Sequence, residues 1–275
     1  MQDPFDQKKS QILKDIYDSE GPDASPKGTI DELCIPIMEL INTNKDMVTT
    51  SSCSGRVSVF VEGSKGDYQD KNGVKIGAKG DGGHWLFVTH DENEVPNWWI
   101  DKSLVFNTSA ATREGLRDDT RYILYKFEPL ILHVKCRNRE TAQKLYTTAM
   151  GCGFRESGIG TNNLVGIRIS IKLDVPIGLY DASTEKCHMF MAEDYLSVLT
   201  KLSLDRFKEN RRKLQQLYDA IEHSLKEDSP TKKESKQERA NRMMEEGLAR
   251  RETVRLRKQQ EKELKQKLAD AAVSN

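Results

Sequence analysis

The stretch TRYILYKFEPLILHVK, residues 120–135, sets the architecture of this chain. Its aliphatic and aromatic residues suit a pleated, half-buried surface. Glu128-Pro129 interrupts the run, because proline has no backbone donor and is poorly tolerated within a central strand. The spacing predicts strand on both sides of a bend. Upstream, GHWLFVTH (83–90) reads as a further strand, and Val48–Thr50 and Val57–Val61 read as strand pieces around a tight loop, Ser51–Arg56. If 57–61 and 84–90 pair antiparallel, His90 falls beside Arg56, and His84 falls at the far end, about 20 Å away at 3.3 Å per residue.

Downstream, Asn138 caps a helix over 139–150 that Gly151 and Gly153 stop. Ile167, Ile169, Ile171 and Leu173 alternate with Arg168, Ser170, Lys172 and Asp174, the period of one continuous strand. Two helices fill 192–225, the second capped by Ser203 and striped by Leu214, Leu217, Tyr218, Ile221 and Leu225. Near the start, residues 1–20 show helical spacing. A second helix runs from Thr29 to about Ile41, with Pro36 as an irritant inside it. A helix, a Ser-Gly loop and a strand occur at 29–61 and again at 139–173, the pattern of two intertwined halves of one sheet.

The chain has 275 residues, with 43 basic and 43 acidic. The balance conceals an asymmetry: residues 226–275 carry 14 Lys and Arg against 10 Asp and Glu. The rest is slightly acidic, so any nucleic-acid contact is local or uses the tail. Residues 1–225 therefore read as the folded domain and 226–275 as a charged tail, partly helical or disordered. Its Glu-to-basic pairs four apart support a solvated helix only weakly. Residues 62–83 hold seven glycines and four lysines, the mark of a flap. No apolar run approaches a membrane span. The start shows no apolar leader. Five cysteines without CxxC spacing argue against disulfides or a Cys-only metal site and for a reducing compartment. The expectation is a cytoplasmic protein with no membrane partner and no metal.

Four constellations carry chemistry. Ser51-Ser52-Cys53-Ser54-Gly55-Arg56 offers hydroxyls, a thiol and a guanidinium for a carboxylate or phosphate, the plain alternative being a polar hairpin turn. Only two residues separate Cys53 from Arg56, too few for a phosphatase loop. His90 is the better of the two histidines of its strand. Glu128 and His133 flank the bend, and a His–Glu pair can move a proton near neutral pH. Gly153–Gly158 with Arg168 and Lys172 makes a second polar lobe, or a helix cap followed by a solvated strand face. No phosphate-binding glycine loop or dinucleotide fingerprint is present. The residues alone describe a soluble α/β protein with a polar loop site.

Five segments in this order go further: SPKGTID (25–31), TTSSCSGRVSVF (49–60), GGHWLFVTH (82–90), LYKFEPLILHV (124–134) and GFRESG (153–158). Together they resemble the eukaryotic tRNA wybutosine-synthesizing protein three family, over residues 5–222. The resemblance implies an α+β fold, with a mixed sheet and flanking helices, non-Rossmann. It implies an S-adenosylmethionine-dependent methyltransferase that methylates N4 of a 4-demethylwyosine derivative bearing the aminocarboxypropyl arm. The target lies next to the anticodon of phenylalanine tRNA, and other wybutosine-pathway enzymes are implied as partners. Carried over by motif, the site residues are Lys27, Asp31, Ser52, Cys53, Ser54, Gly55, Arg56, His90, Glu128, His133, Arg155, Ser157 and Arg168. The chemistry needs a proton acceptor, and His90 or His133 is expected in that role, oriented by Glu128. Trp85 has a face suited to stacking on a tricyclic base, core packing being the plainer reading. The flap lysines Lys65, Lys71, Lys75 and Lys79, with Arg137, Arg139 and Lys144, are expected to meet RNA. The alternatives are a non-catalytic tRNA-binding or scaffold protein, and a Cys–His hydrolase using Cys53.

Overall fold

The computed structural model describes residues 3–17, 29–64, 82–106, 120–227 and 243–244. Lys27, the four flap lysines and almost all of the charged tail lie outside them. Contacts group Met1–Lys226 into one unit and Glu227–Asn275 into another.

Within the described residues the elements are helix α1 (Pro4–Tyr17), a 3-10 turn at Glu32–Cys34, helix α2 (Ile35–Thr43), strand β1 (Met47–Val61), β2 (His84–Thr89), β3 (Leu104–Val105), β4 (Arg121–Cys136), helix α3 (Arg139–Gly151), β5 (Gly158–Ile159), β6 (Leu164–Arg168), β7 (Leu173–Asp181), β8 (Lys186–Met189) and helix α4 (Asp194–Glu227). One mixed sheet holds all eight strands in the order β2-β1-β4-β7-β8-β3, with β6 also on β4 and β5 on β6. Only β3 and β8 pair parallel. That pairing pattern is not a Rossmann sheet.

β4 is the axis of the sheet. It pairs with β1 along almost its whole length, Met47 opposite Cys136 and Val61 opposite Ile123. On its other edge, β6 takes Ile131–Lys135 and β7 takes Arg121–Phe127. The buried residues of β4 are Ile123, Tyr125 and Phe127 before the bend, and Leu130, Leu132, Val134 and Cys136 after it. Their parity switches at Glu128-Pro129, although the pairing with β1 keeps one register from Ser51–His133 to Val61–Ile123. Two clusters result. Tyr125, Phe127, Val57, Val59, Trp98 and Phe207 pack in one. Leu130, Leu132, Ile37, Ile41, Ala142 and Leu217 pack in the other.

Asn210 of α4 stands at the switch. Its Oδ1 accepts from the Leu130 N–H at 2.8 Å, and its Nδ2 donates to the Ser54 carbonyl at 2.7 Å. In an unbroken antiparallel ladder those two backbone groups would bond each other. The side-chain amide is inserted between the strands instead. Pro129 supplies no donor, and Gly55 opposite it has φ +109°, where a Cβ would lie 2.9 Å from Asn210 Nδ2. α4 covers both clusters in turn, with Leu196, Leu199 and Phe207 in one and Leu214, Leu217 and Ile221 in the other.

Several expectations change. Ser51–Arg56 is not a loop but part of the continuous strand β1, with a register shift between Thr49 and Ser51. The single strand expected over 167–173 is two strands, β6 and β7, separated at 169–172 where β4 bends. The two helices of 192–225 are one, α4, and Ser203 is no cap: it is buried, 2.8 Å from the Tyr125 hydroxyl. Pro36 does not disrupt a helix, because α2 begins beside it at Ile35, where a missing N–H costs nothing. The antiparallel pairing of 57–61 with 84–89 is present, with Val57 opposite Thr89 and Val61 opposite His84. The two segments that echo one another, in β1 and β6, flank β4 on opposite edges.

Candidate functional site

The parity switch brings the outward residues of both halves of β4 together. Lys126 and Glu128 lie outward before the bend, and Ile131 after it. With Cys53, Arg56, Glu156, Arg168, Lys172 and Asp174 they line one cavity of about 330 Å³. Both polar lobes seen in the sequence therefore share a cleft. The volume falls in the range of small-molecule sites, about 300–1,000 Å³.

The cleft carries both signs of charge in pairs. Arg56 Nε donates to Glu128 Oε2 at 2.7 Å, Lys126 Nζ to Asp174 Oδ2 at 3.0 Å, and Lys172 stands 3.5 Å from Glu156. Arg56 also lies over the Trp85 ring, 5.4 Å from its centroid. Trp85 packs against Phe60 at 4.9 Å, so its faces are already in use.

His133 borders the cleft through Arg168. Arg168 Nη2 lies 3.3 Å from His133 Nε2, and Ser51 Oγ lies 3.3 Å from Nδ1. A guanidinium only donates, so Nε2 is the acceptor and Nδ1 carries the proton toward Ser51. Burial, and then the Arg168 charge, hold the ring below the ordinary histidine pKa. His133 is thus a neutral base at neutral pH. Gly166 faces it across the sheet, and a Cβ there would come within 3.2 Å of the ring.

His90 borders the cleft on the opposite side through Cys53. Its Nε2 lies 3.6 Å from Cys53 Sγ and 3.6 Å from Asp31 Oδ2. Asp31 is 9% exposed, and its Oδ2 accepts from the Ser54 N–H at 2.8 Å. Asp31, Cys53 and His90 offer donor atoms that all lie within 4.8 Å of one another, the one such triple with metal-ligating atoms among the described residues. Burial, above all, pushes the Cys53 thiol up. A protonated thiol is a poor nucleophile. A hydrolase relay also needs the carboxylate on the ring nitrogen opposite the thiol. Here both partners meet Nε2, so the Cys–His hydrolase reading fails.

The remaining expected residues divide. Ser157 exchanges hydrogen bonds with the Arg168 backbone, at 3.1 and 3.5 Å, and so steadies β6. Ser52 turns toward Met38 of α2, 3.2 Å from its sulfur. Ser54 is buried and Gly55 acts through its backbone. Arg155 is exposed and does not line the cavity. Glu128 bonds Arg56 and orients neither histidine. Arg137 ties α1 down, pairing with Asp3 at 2.6 Å, Asp46 at 2.7 Å and Asp6, and Lys144 donates to the Ser224 carbonyl at 3.0 Å. These two cations serve the fold. Sequence reasoning missed Lys126, Asp174 and Asn210, and named Ser51 only as one hydroxyl of its constellation. For Asn210 a signal existed: it occupies a core position of a helical stripe, between Phe207 and Leu214.

Comparison with known proteins assigns the chain to a family. The Methyltransferase TYW3 family matches residues 7–223. This chain belongs to the TYW3 methyltransferase family. It is 53% identical over 264 residues to the tRNA wybutosine-synthesizing protein 3 of Saccharomyces cerevisiae, covering 90% of this chain and 95% of that one. The protein of the same name from Schizosaccharomyces pombe is 38% identical, covering 80% and 88%. Among solved structures, the PH1069 protein from Pyrococcus horikoshii superimposes with a TM-score of 0.54 at 28% identity, covering 79% of this chain and 95% of that one. The TYW3 match spans both echo segments, the cleft and nearly all of α4. No helix among the described residues is long and apolar enough to cross a membrane.

Proposed function

We propose that this TYW3 family member transfers the methyl group of S-adenosylmethionine to N4 of the 4-demethylwyosine nucleoside bearing the aminocarboxypropyl arm, next to the anticodon of phenylalanine tRNA. Residues 1–225 carry the activity, in the cytoplasm. The observation that supports this reading most directly is the mixed-sign cleft. The methionine part of the donor has a carboxylate, an ammonium and a sulfonium. Arg56 and Arg168 suit the first, and Glu128 and Asp174 suit the other two. When bound, the donor supplies an electrophilic methyl group.

The chain's own contribution is positioning and a proton acceptor. Holding the reactants aligned is the largest effect available to such a site. His133 is the acceptor we favour over His90, because its ring is kept neutral and its Nε2 faces the cleft rim. Arg168 leaves Nε2 when it turns to a donor carboxylate or a tRNA phosphate. The base is then uncovered only in the loaded enzyme.

Calorimetric titration of S-adenosylmethionine into the full chain tests the reading. Saturable binding is expected, weakened in Arg168→Ala by about tenfold or more, as the loss of a charge-assisted hydrogen bond worth about 1.5–3 kcal/mol implies. His133→Gln should leave donor binding intact and lower kcat about 10²–10⁴-fold. The lowered pKa of His133 fixes the sign of the pH profile. Activity should persist below pH 6.5 and fall once the ring protonates, and Arg168→Ala should move that limb upward. No donor binding, with or without hypomodified phenylalanine tRNA, would leave the scaffold reading in possession.

A further inference from the structure

We propose that Asp31, Cys53 and His90 form a zinc site beside the cleft. Three segments of the chain converge here: the residue before the 3-10 turn, the middle of β1, and the residue after β2. Each brings one donor atom. His90 Nε2 is 3.6 Å from both Cys53 Sγ and Asp31 Oδ2. The nitrogen–oxygen separation is too long for a hydrogen bond. It is also no relay, because a single ring nitrogen faces both partners.

The separations suit a shared cation. Around a tetrahedral zinc, with bonds of about 2.3 Å to sulfur and about 2.0–2.2 Å to nitrogen or oxygen, neighbouring donor atoms stand roughly 3.3–3.6 Å apart. The two 3.6 Å edges match that spacing, and all three donors fall within 4.8 Å of one another. Thiolate, imidazole and carboxylate are all ligands that zinc accepts. The outer shell is in place too. The Ser54 N–H holds the same Asp31 oxygen that faces His90, at 2.8 Å. Ligating carboxylates are characteristically steadied in this way.

Burial supports the assignment. Asp31 is nearly buried, and the His90 side chain is 20% exposed. Zn²⁺ binding forms the Zn–S bond and releases the Cys53 thiol proton to solvent, so no oxidant or reductant is involved. Three protein donors leave a fourth position, the arrangement of catalytic zinc sites rather than structural ones. Of the three donors, Cys53 also lines the cleft. The inference does not depend on the methyl donor.

The test is a Co²⁺ titration of the chelator-treated full-length chain, followed by absorption, with Zn²⁺ competition and metal analysis. One Co²⁺ per chain is expected, with a sulfur-to-cobalt charge-transfer band that Zn²⁺ removes. Cys53→Ser should abolish the band. Asp31→Asn and His90→Gln should weaken binding beyond the roughly 10–100-fold that loss of an outer-shell partner costs. Cys152→Ser, whose sulfur lies at the Gln216 carbonyl in α4, should leave the band unchanged. Circular dichroism establishes that each variant is folded. A folded wild type without the band, or a band that survives Cys53→Ser, overturns the proposal. If Cys53→Ser does not fold, His90→Gln decides: unchanged affinity there overturns it equally.

Discussion

The two halves of β4 make the same kind of strand and present opposite parities. In Arg121–Phe127 the odd positions, Ile123, Tyr125 and Phe127, are buried. In Leu130–Cys136 the even ones are, and the odd positions Ile131 and His133 turn outward. The neighbours follow: Val57 and Val59 join the first half's core, while Cys53 and Arg168 join the second half's outward strip. The comparison teaches how a rigid sheet can carry a polar site without a loop. A strand has two faces, and a continuous one would have kept Lys126 and Glu128 apart from Ile131 and Cys53. Slipping the phase by one residue puts both sets on the same side, where they line one cavity. Rigid elements hold catalytic geometry better than loops do.

Removing the device that makes the two halves differ should have the largest effect on stability. Asn210 is 1% exposed and satisfies both Leu130 N–H and Ser54 C=O. Asn210→Ala strands two buried backbone groups at about 1–3 kcal/mol each. Urea unfolding should therefore show a loss of about 2–6 kcal/mol. A loss under 1 kcal/mol would mean that the strands close on each other unaided, and that the amide does not hold the halves apart.

Gly55→Ala attacks the same point from the strand side. Its φ of +109° disfavours any side chain, and the new methyl would meet Asn210 Nδ2 at 2.9 Å and the Glu128 carbonyl at 3.2 Å. Strain of this kind costs about 1–3 kcal/mol. Gly160→Ala, with φ −84° and its nearest neighbour at 3.7 Å, is the control that should cost little. Equal losses in the two variants would break the argument that Gly55 is placed for its conformation.

How much of this the sequence discloses differs along the chain. The antiparallel pairing of 57–61 with 84–89 follows from the period of the two segments, and the structure sets His90 against Cys53 and Asp31. Glu128-Pro129 is visible as a break. Its consequence is not, because a parity switch is a relation between two strands and a helix. The 167–173 run shows why. Burial alternates unbroken from Val165 through Ile169 to Ile177, so the sequence reads as one strand. The ladder nevertheless stops at 169–172, since both β6 and β7 follow β4 and share its inside and outside. Ser203 misleads for a related reason. Serine favours helix caps, yet here a buried Tyr125 hydroxyl gives it a partner within the helix. The cleft residues Lys126 and Asp174 carry no motif, and the fold alone makes them neighbours.

The smallest expected change in stability sharpens the comparison most. Gly166 lies opposite His133 in the second half of β4, and a Cβ there would approach the ring carbon to 3.2 Å and Nε2 to 3.4 Å. Contacts of that length ask the imidazole to shift by a few tenths of an ångström, and the ring borders the cleft, so it has somewhere to go. Gly166→Ala should therefore cost well under 1 kcal/mol, within the range of surface substitutions. Its effect on methyl transfer should be larger than its effect on folding. A displaced ring loses its approach to Ser51 and Arg168, so kcat should fall while donor affinity stays. In the other half Gly178 lies opposite Ile123, where a Cβ would meet the His188 backbone carbonyl at 2.5 Å instead of a ring that can move. If kcat is unchanged, His133 is not the proton acceptor, and the outward strip of the second half serves binding alone.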